Sequence, residues 1–560
     1  MPEGTLTKQE LIKQQIGNPF RVWDAVERGA RDGYATLTKD ELFLFKWHGL
    51  YEHRHEKGYF MLRLKLPNGC LTAQQLEAIA DITEQQNKGF ADVTTRQDMQ
   101  LHWISMADAP GIIQRLKDVG ISTLGACGDI ARNVVGCPVA GVAKDEFIDG
   151  RPFAQAISDC FLGKVEYANL PRKYKISVVG CRDQCPQPEI QCLSFVAMER
   201  SIDGKTDVGF DLRAGGGLST QPFLAQRLNA FVRQDQVLPV AIAVTELYRD
   251  SNAYRQKRHH ARLKYVVHDM GVSAFRAEVE RRLGFKLDDA PAYEAPQEQF
   301  RDHVGVKEQK QAGFYYVGIP ILVGRITAEQ MRKVADVAER YSDPAMSQHM
   351  GGAIRASVKQ NLVLLNIPEP SVEKALQGLA SVGLSVNAHP IRRGVVTCTG
   401  TEFCNLAISE TKVRSKQITE YLENVVPLDE PLRIHITGCP NACAQYQIGH
   451  IGLMGSKTQV NGVTVDAFDV LVGGQLGRDA GFVHPIVRKI PAEQCAERLK
   501  DLLQGYLKLR KPGERFNDFC KRVGDAKLTA LLLGKDGKAD QIVPAGTPLP
   551  KPVAPPPSHV

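Results

Sequence analysis

Thr72-Ala-Gln-Gln-Leu-Glu-Ala-Ile-Ala-Asp81 recurs 255 residues later as Thr327-Ala-Glu-Gln-Met-Arg-Lys-Val-Ala-Asp336. Two further echoes follow in the same order. Arg96-Gln-Asp-Met-Gln-Leu-His-Trp-Ile104 aligns with Lys359-Gln-Asn-Leu-Val-Leu-Leu-Asn-Ile367, and Asp118-Val-Gly-Ile-Ser122 with Ser381-Val-Gly-Leu-Ser385, both 263 apart. The change of register places about eight extra residues in the second copy, near 342–352. Phe210-Asp-Leu-Arg-Ala-Gly-Gly-Gly-Leu218 returns at a distance of 258 as Phe468-Asp-Val-Leu-Val-Gly-Gly-Gln-Leu476. Matches in one order at nearly one spacing indicate an ancient duplication.

Each copy opens with an apolar strand (59–66 and 314–323). A helix follows, started by a Thr-x-x-Gln capping box. A second strand, a second helix (109–119 and 371–382) and further strands complete the unit. The expected fold class is therefore α+β with mixed sheets. Residues 1–45 precede the first copy as an arm. The expected divisions are 46–125, 126–300, 301–390 and 391–515, then a C-terminal extension, 516–560. That extension ends in a Pro-rich tail from Val543 that is expected to be disordered.

The 560 residues predict roughly three or four domains at ordinary domain size. Apolar residues make up 43% and charged residues 24%, which excludes a disordered, collagen-like or coiled-coil chain. The start is polar, without the apolar core of a signal peptide, and no run reaches the ~18 apolar residues of a membrane span. A reducing cytoplasm is the expected compartment, where clustered cysteines point to metal or redox chemistry. The thirteen cysteines are an odd number, so they cannot all pair within one chain. The net charge of +7 permits an acidic partner without requiring nucleic acid.

Four cysteines form two groups. Cys398 and Cys404 have a C-x5-C spacing, and Cys439 and Cys443 a C-x3-C spacing, with about 35 residues between. Four thiolates are the complement of an iron–sulfur cubane or a structural zinc. C-x5-C fits zinc knuckles poorly, so a cluster is the preferred reading. Gly400 and Gly438 would let backbone amides approach the sulfurs. Cys181 and Cys185 form a third close pair with no partner pair in sequence, and a structural or weakly redox role is expected of them rather than a second cluster. Gly215–Gly217 and Gly473–Gly474 lack the G-x-G-x-x-G spacing and read as turns, so no flavin or nicotinamide domain is expected.

Thr-Gly-x-x-x-Cys404 followed by Gly438-Cys-Pro-Asn-Ala-Cys-Ala-Gln445 resembles the signature of the sirohaem nitrite and sulfite reductases. The resemblance extends to Gly58-Tyr-Phe-Met-Leu-Arg63, Thr94-Thr-Arg-Gln-Asp-Met-Gln-Leu-His102, Asp129-Ile-Ala-Arg-Asn133 and Leu170-Pro-Arg-Lys-Tyr-Lys175. It covers about residues 45–515. It implies ferredoxin-like half-domains plus two cofactor-binding α+β domains, the duplication already read. It further implies a 4Fe-4S cluster on Cys398, Cys404, Cys439 and Cys443, with Cys443 bridging to the sirohaem iron.

By the same resemblance Arg63, Arg132, Lys173 and Lys175 hold a small oxyanion substrate and deliver protons. Arg96, Gln100 and His102 contact the sirohaem carboxylates. For these, strand alternation would put residues 96, 98, 100 and 102 on one side. His102 reads equally well as a satisfied core histidine. The activity implied is six-electron reduction of sulfite to sulfide, with nitrite reduction to ammonia as the alternative. The second lysine, Lys175, favours sulfite, while Phe60-Met-Leu-Arg-Leu-Lys-Leu-Pro-Asn-Gly69 also resembles nitrite reductases. Electrons would come from ferredoxin or a separate flavoprotein. An iron–sulfur electron carrier and a zinc-stabilised binding protein are the rival classes, and neither needs the four cations. Tyr51 and Cys127 share the context of a covalent Tyr–Cys thioether known in a bacterial ferredoxin-dependent branch, and the same link is expected here.

Overall fold

The computed structural model describes residues 6–86, 89–297, 300 and 302–534, together with the backbone of Val543–Pro544. The rest of the Pro-rich tail lies outside the described residues. Strands β1 (Leu50–Glu52), β2 (Tyr59–Arg63), β3 (Cys70–Leu71), β4 (Phe90–Val93) and β5 (Met99–Ser105) belong to the first copy. They are followed by β6 (Ile176–Val179), β7 (Leu193–Ile202), β8 (Lys205–Ala214), β9 (Gln226–Val232) and β10 (Asp288–Asp289). The second copy supplies β11 (Gly305–Glu308), β12 (Phe314–Ile319), β13 (Arg325–Thr327), β14 (Ile354–Ala356) and β15 (Leu362–Pro368). Then come β16 (Val395–Thr397), β17 (Ile434–Thr437), β18 (Ile451–Val460), β19 (Val463–Val472) and β20 (His484–Pro491).

The duplication is visible in the pairing itself. In β7·β8 Leu193 faces Ala214, and in β18·β19 Ile451 faces Val472, both shifted by 258. β6 runs parallel to β7, as β17 runs parallel to β18. Even the left-handed backbone positions repeat: Gln97 with Gln360, Gln184 with Ala442, Gln187 with Gln445, and Asp203 with Asn461. Such positions cost side-chain-bearing residues energy. Their retention in both copies marks turns that the fold cannot do without. The Thr72–Gln75 and Thr327–Gln330 capping boxes are both present, reciprocal in each case. The extra residues of the second copy form the short helix Pro344–His349.

The two half-domains exchange strands. The first sheet runs β1-β2-β5-β4-β13, and the corresponding sheet runs β11-β12-β15-β14-β3. Each thus closes on a strand from the other copy. Helices Ala73–Gln85 and Ala328–Tyr341 pack together, with Arg332 bonded to Asp81 at 2.9 Å and Glu84 at 2.6 Å. One continuous apolar core includes Leu76 and Ile79 of one helix and Met331, Val334 and Ala335 of the other. The two cofactor-domain sheets have separate cores.

At the centre lie two glutamines in equivalent turns. Gln97 Nε2 donates to Ala356 O at 2.9 Å, and its Oε1 accepts from Gly136 N at 2.9 Å. Gln360 Nε2 donates to Val93 O at 2.9 Å and Thr397 O at 3.0 Å, and its Oε1 accepts from Thr397 N at 2.8 Å. Both are buried.

The N-terminal arm folds as helices Lys8–Ile16, Trp23–Asp32 and Lys39–Leu44. Its buried Lys13 lies 2.5 Å from Glu10 Oε1 and 3.2 Å from Asp129 Oδ2, and donates to Leu170 O at 2.9 Å. Arg258 also meets Asp129 Oδ2, at 2.5 Å. A buried acid with two partners is tolerated where a lone one would not be. Among the described residues, no helix is long and apolar enough to cross a membrane.

Gln360→Ala strips the partners from buried backbone groups of both halves. We expect it to lower the unfolding free energy by roughly 2–4 kcal/mol. Gln330→Ala, on an exposed cap, should cost about 1 kcal/mol or less. Urea unfolding of the holoprotein followed by tryptophan fluorescence measures both.

Candidate functional site

The cysteine loops begin where parallel strands end. β16 stops at Thr397, next to Cys398, and β17 stops at Thr437, ahead of Gly438-Cys439. Gly438 N donates to Cys398 Sγ at 3.2 Å, and Asn441 Nδ2 to Cys439 Sγ at 3.5 Å. Gly400 has φ +59°, and a side chain there would strike Thr411. Burial, then the nearby Cys443, pushes the Cys404 thiol up to about 11, and the same two causes raise Cys398. Cationic iron would reverse that preference by taking the thiolate form.

The spacing of the quartet discriminates between metals. Among the described residues only Cys137, Cys185 and His303 bring three such ligand atoms within 4.8 Å of one another. No three of Cys398, Cys404, Cys439 and Cys443 do so. A single zinc ion with ~2.3 Å bonds needs its sulfurs about 3.8 Å apart. A cubane spreads its thiolates because irons and sulfides lie between them. The quartet fits the cluster.

The first copy grips these loops. Arg54 Nη1 donates to Cys404 O at 3.0 Å and Ala407 O at 2.7 Å, and Asn405 Nδ2 donates to Glu52 O at 3.0 Å. Thr95 Oγ1 donates to Cys443 O at 3.1 Å. Cys443 is exposed and lies within electrostatic reach of Arg63 and Lys173.

Arg63 ends β2, and its Nε donates to Gln100 Oε1 at 3.0 Å. Arg132 is held by Gly128 O, with Nε at 3.1 Å and Nη2 at 2.8 Å. Arg96 bonds Gln191 Oε1 at 2.9 Å and also Asn133 O, while its Nε is buried without a hydrogen-bond partner. Burial lowers Arg96 to about 10. Lys173 is lowered to about 7, first by burial and then by Arg262, with Arg132 and Arg172 adding to the effect. Lys175 is depressed by burial, Arg96, Lys173 and Arg262.

Strand alternation does not extend to Arg96. Residues 94–98 form a turn in which the Thr94 hydroxyl accepts from Arg96 N and Asp98 N, and Gln97 has φ +58°. The strand begins only at Met99. Arg96 reaches the other cations from that turn.

His102 lies elsewhere. Its Nε2 is 2.9 Å from Asp92 Oδ2, which Arg325 also binds at 3.0 Å, and its ring stacks on Phe403 at 3.8 Å. It therefore packs behind the Cys404 loop, apart from the cation ring. Tyr51 and Cys127 are brought together: burial, then the neighbouring Cys127 thiol, raises the Tyr51 phenol, and Arg63 lies 5.4 Å from the Tyr51 ring centre.

Two cations were not singled out from sequence. Arg262 is buried, with Nη2 3.4 Å from Cys192 Sγ and Nε lacking a hydrogen-bond partner. Lys264 is buried against Leu218 O at 3.4 Å, and burial and Arg262 lower it to about 6. The signal was the basic run 255–264 (Arg-Gln-Lys-Arg-His-His-Ala-Arg-Leu-Lys). The groups that most perturb Lys173, Lys175 and Lys264 are other cations and two thiols. Buried positive charge without carboxylate partners is costly alone. The orphaned Arg96 and Arg262 nitrogens and these lysines fit a polyanionic group with several carboxylates, plus a small anion.

The description "Nitrite and sulphite reductase 4Fe-4S domain" matches residues 127–287 and 390–538, and "Nitrite/Sulfite reductase ferredoxin-like half domain" matches 51–119 and 307–382. The chain is similar to "Sulfite reductase [ferredoxin] 1" of Mycolicibacterium paratuberculosis, 36% identical over 89% of this chain and 92% of that protein. It is similar to "Ferredoxin--nitrite reductase, chloroplastic" of Zea mays, 37% identical over 84% and 83%. Its fold matches the structure of the Mycobacterium tuberculosis NirA protein with TM-score 0.87 and 35% identity, over 93% and 97% of the chains.

Lys173 sits at about 7, so it is cationic below that pH and loses its charge above it. Affinity for a small inorganic anion should fall as pH rises through this range, with bound negative charge moving the midpoint upward. Lys173→Met should weaken binding roughly 10- to 100-fold at pH 6 and flatten the profile. Anion titration of the holoprotein by calorimetry between pH 6 and 9 measures this.

Proposed function

The chain belongs to the nitrite and sulfite reductase family, and from that premise we propose that it reduces sulfite to sulfide with electrons from ferredoxin. The cofactors are sirohaem and a 4Fe-4S cluster, which when bound supply the electron relay and the iron site where the six-electron reduction takes place. Cys398, Cys404, Cys439 and Cys443 would hold the cluster, with Cys443 facing the sirohaem. Arg96 and Gln100 would hold sirohaem carboxylates, as would Arg262 and Lys264. His102 would act through the Phe403–Cys404 loop on which it packs. The domain divisions given above, and a cytoplasmic location, belong to the same reading.

Arg63, Arg132, Lys173 and Lys175 would bind the oxyanion. The observation that carries this is the approach of Lys173 and Arg63 to Cys443 across the junction of the two halves. Arg63 and Arg132 are pre-oriented by Gln100 and Gly128 O, so they fix the anion and stabilise charge as its oxygens leave. Lys173, lowered to about 7, can give up a proton and regain one near neutral pH. Partial burial strengthens these charges by limiting competing water.

Lys175 supports sulfite over nitrite, because a second lysine suits the larger, more highly charged oxyanion. Nitrite is the second reading: relatives named as nitrite reductases match at 33% and 37% identity, on either side of the 34% to 36% of the mycobacterial sulfite reductases. Steady-state assays with reduced ferredoxin decide between them. We expect kcat/KM at least tenfold higher for sulfite, and a higher value for nitrite would reverse the order.

The Tyr51–Cys127 contact supports a thioether between the ring and the sulfur. Forming it removes two electrons and two protons, which an oxidant such as dioxygen would accept. Peptide mapping of active enzyme should show one linked peptide two mass units below the sum. Two separate peptides would show that the thiol and phenol remain unlinked.

A further inference from the structure

Three cysteines of the first copy occupy the places that Cys398, Cys439 and Cys443 occupy in the second. Cys181 and Cys185 precede Cys439 and Cys443 by 258 residues. Cys137 precedes Cys398 by 261, and the backbone confirms the equivalence. Val135 pairs in parallel with Ser177, as Val396 pairs with His435. Gln97 accepts from the amide of Gly136, one residue before Cys137, as Gln360 accepts from Thr397, one residue before Cys398. The fourth place is lost: the position 261 before Cys404 is Ala143. A histidine arrives instead. His303, at the entry to β11, lies with Nε2 3.8 Å from Cys137 Sγ.

The sulfurs of Cys137 and Cys185 and a nitrogen of His303 lie within 4.8 Å of one another. Cys181 stands outside that triplet but beside it, and interacts with both thiols. The surroundings are apolar: Val139, Ala140, Val142, Tyr316, Val363 and Leu365 pack around Cys137 and Cys181. Cys137 and Cys181 are 2% and 3% exposed and His303 7%, while Cys185 is half-buried, so the set is largely shielded from solvent.

We propose that Cys137, Cys181, Cys185 and His303 bind one Zn(II) ion as a structural site distinct from the cluster. Three thiolates and one imidazole form a common closed tetrahedral zinc set. Its ligand atoms stand about 3.8 Å apart for bonds near 2.3 Å, which the spacing of Cys137, Cys185 and His303 approaches and a four-iron cluster exceeds. Binding releases three thiol protons and changes no oxidation state. The ion ties the loops after Val135 and after β6 to the segment leading into the second half. It pins the junction of the two copies on the face where no cluster is built.

Metal analysis of the purified holoenzyme, after mild chelation to remove loose ions, tests this. We expect about one zinc per chain in addition to the cofactor iron. His303→Ala and Cys137→Ser should lose the zinc while iron content and the visible spectrum persist. Growth in cobalt should yield the ligand-field bands of a tetrahedral thiolate site, a readout independent of either variant. Less than about 0.2 zinc per chain with full iron occupancy would overturn the proposal. So would a disulfide among these cysteines in the mapped native protein, or an iron in place of zinc that His303→Ala removes.

Discussion

The molecule depends on the paired turns at Gln97 and Gln360. Each glutamine is buried in a left-handed turn, where its side chain does the work of a backbone strand. Each reaches across to a strand of the other copy, Ala356 or Val93, and back to the residue before a cysteine, Gly136 or Thr397. An amide offers a donor and an acceptor at one point, so one side chain can couple three segments. The exchanged strands β3 and β13 make the same connection through backbone bonds. Neither half can shift without breaking buried hydrogen bonds in the other, which makes their junction a rigid place to hold large groups.

That rigidity permits an arrangement that would otherwise not fold well. Cations of the first copy converge toward Cys443 of the second. Burial, and after it their mutual repulsion, lowers the proton affinities of Lys173, Lys175 and Lys264. Acids are kept where they serve as supports. Asp129 is paired with Lys13 and Arg258 behind Arg132, and Asp92 with Arg325 and Lys412 behind His102. Asp98, near Arg63 and Arg96, is raised to about 7 by burial despite those cations. The division of labour is chemical: the first copy keeps the cations and the second keeps the cluster cysteines.

Duplication, capping boxes and the extra segment near 342–352 were legible in the sequence because they depend on local spacing. Cluster cysteines were legible because two short loops carry them. Arg262 and Lys264 were missed although they stand in a dense basic run, because basic runs usually mark solvated surface. Alternation misplaced Arg96, because the Thr94 hydroxyl caps a turn that interrupts the strand before Met99. The apparent isolation of Cys181 and Cys185 ended only when Cys137 and His303 folded against them from 44 residues before and 118 residues after.

By itself the sequence determined what repeats: element type, order, caps, and which short loops carry thiols, since these depend on residues a few positions apart. Tertiary structure decided what meets. Strand exchange, the glutamine staples, the approach of Lys173 to Cys443, and the contact between Tyr51 and Cys127 join residues tens to hundreds of positions apart. Their proximity is set by packing, which no local pattern records. The spacing of sulfur atoms, which separates a site for a cluster from a site for a single ion, exists only in three dimensions.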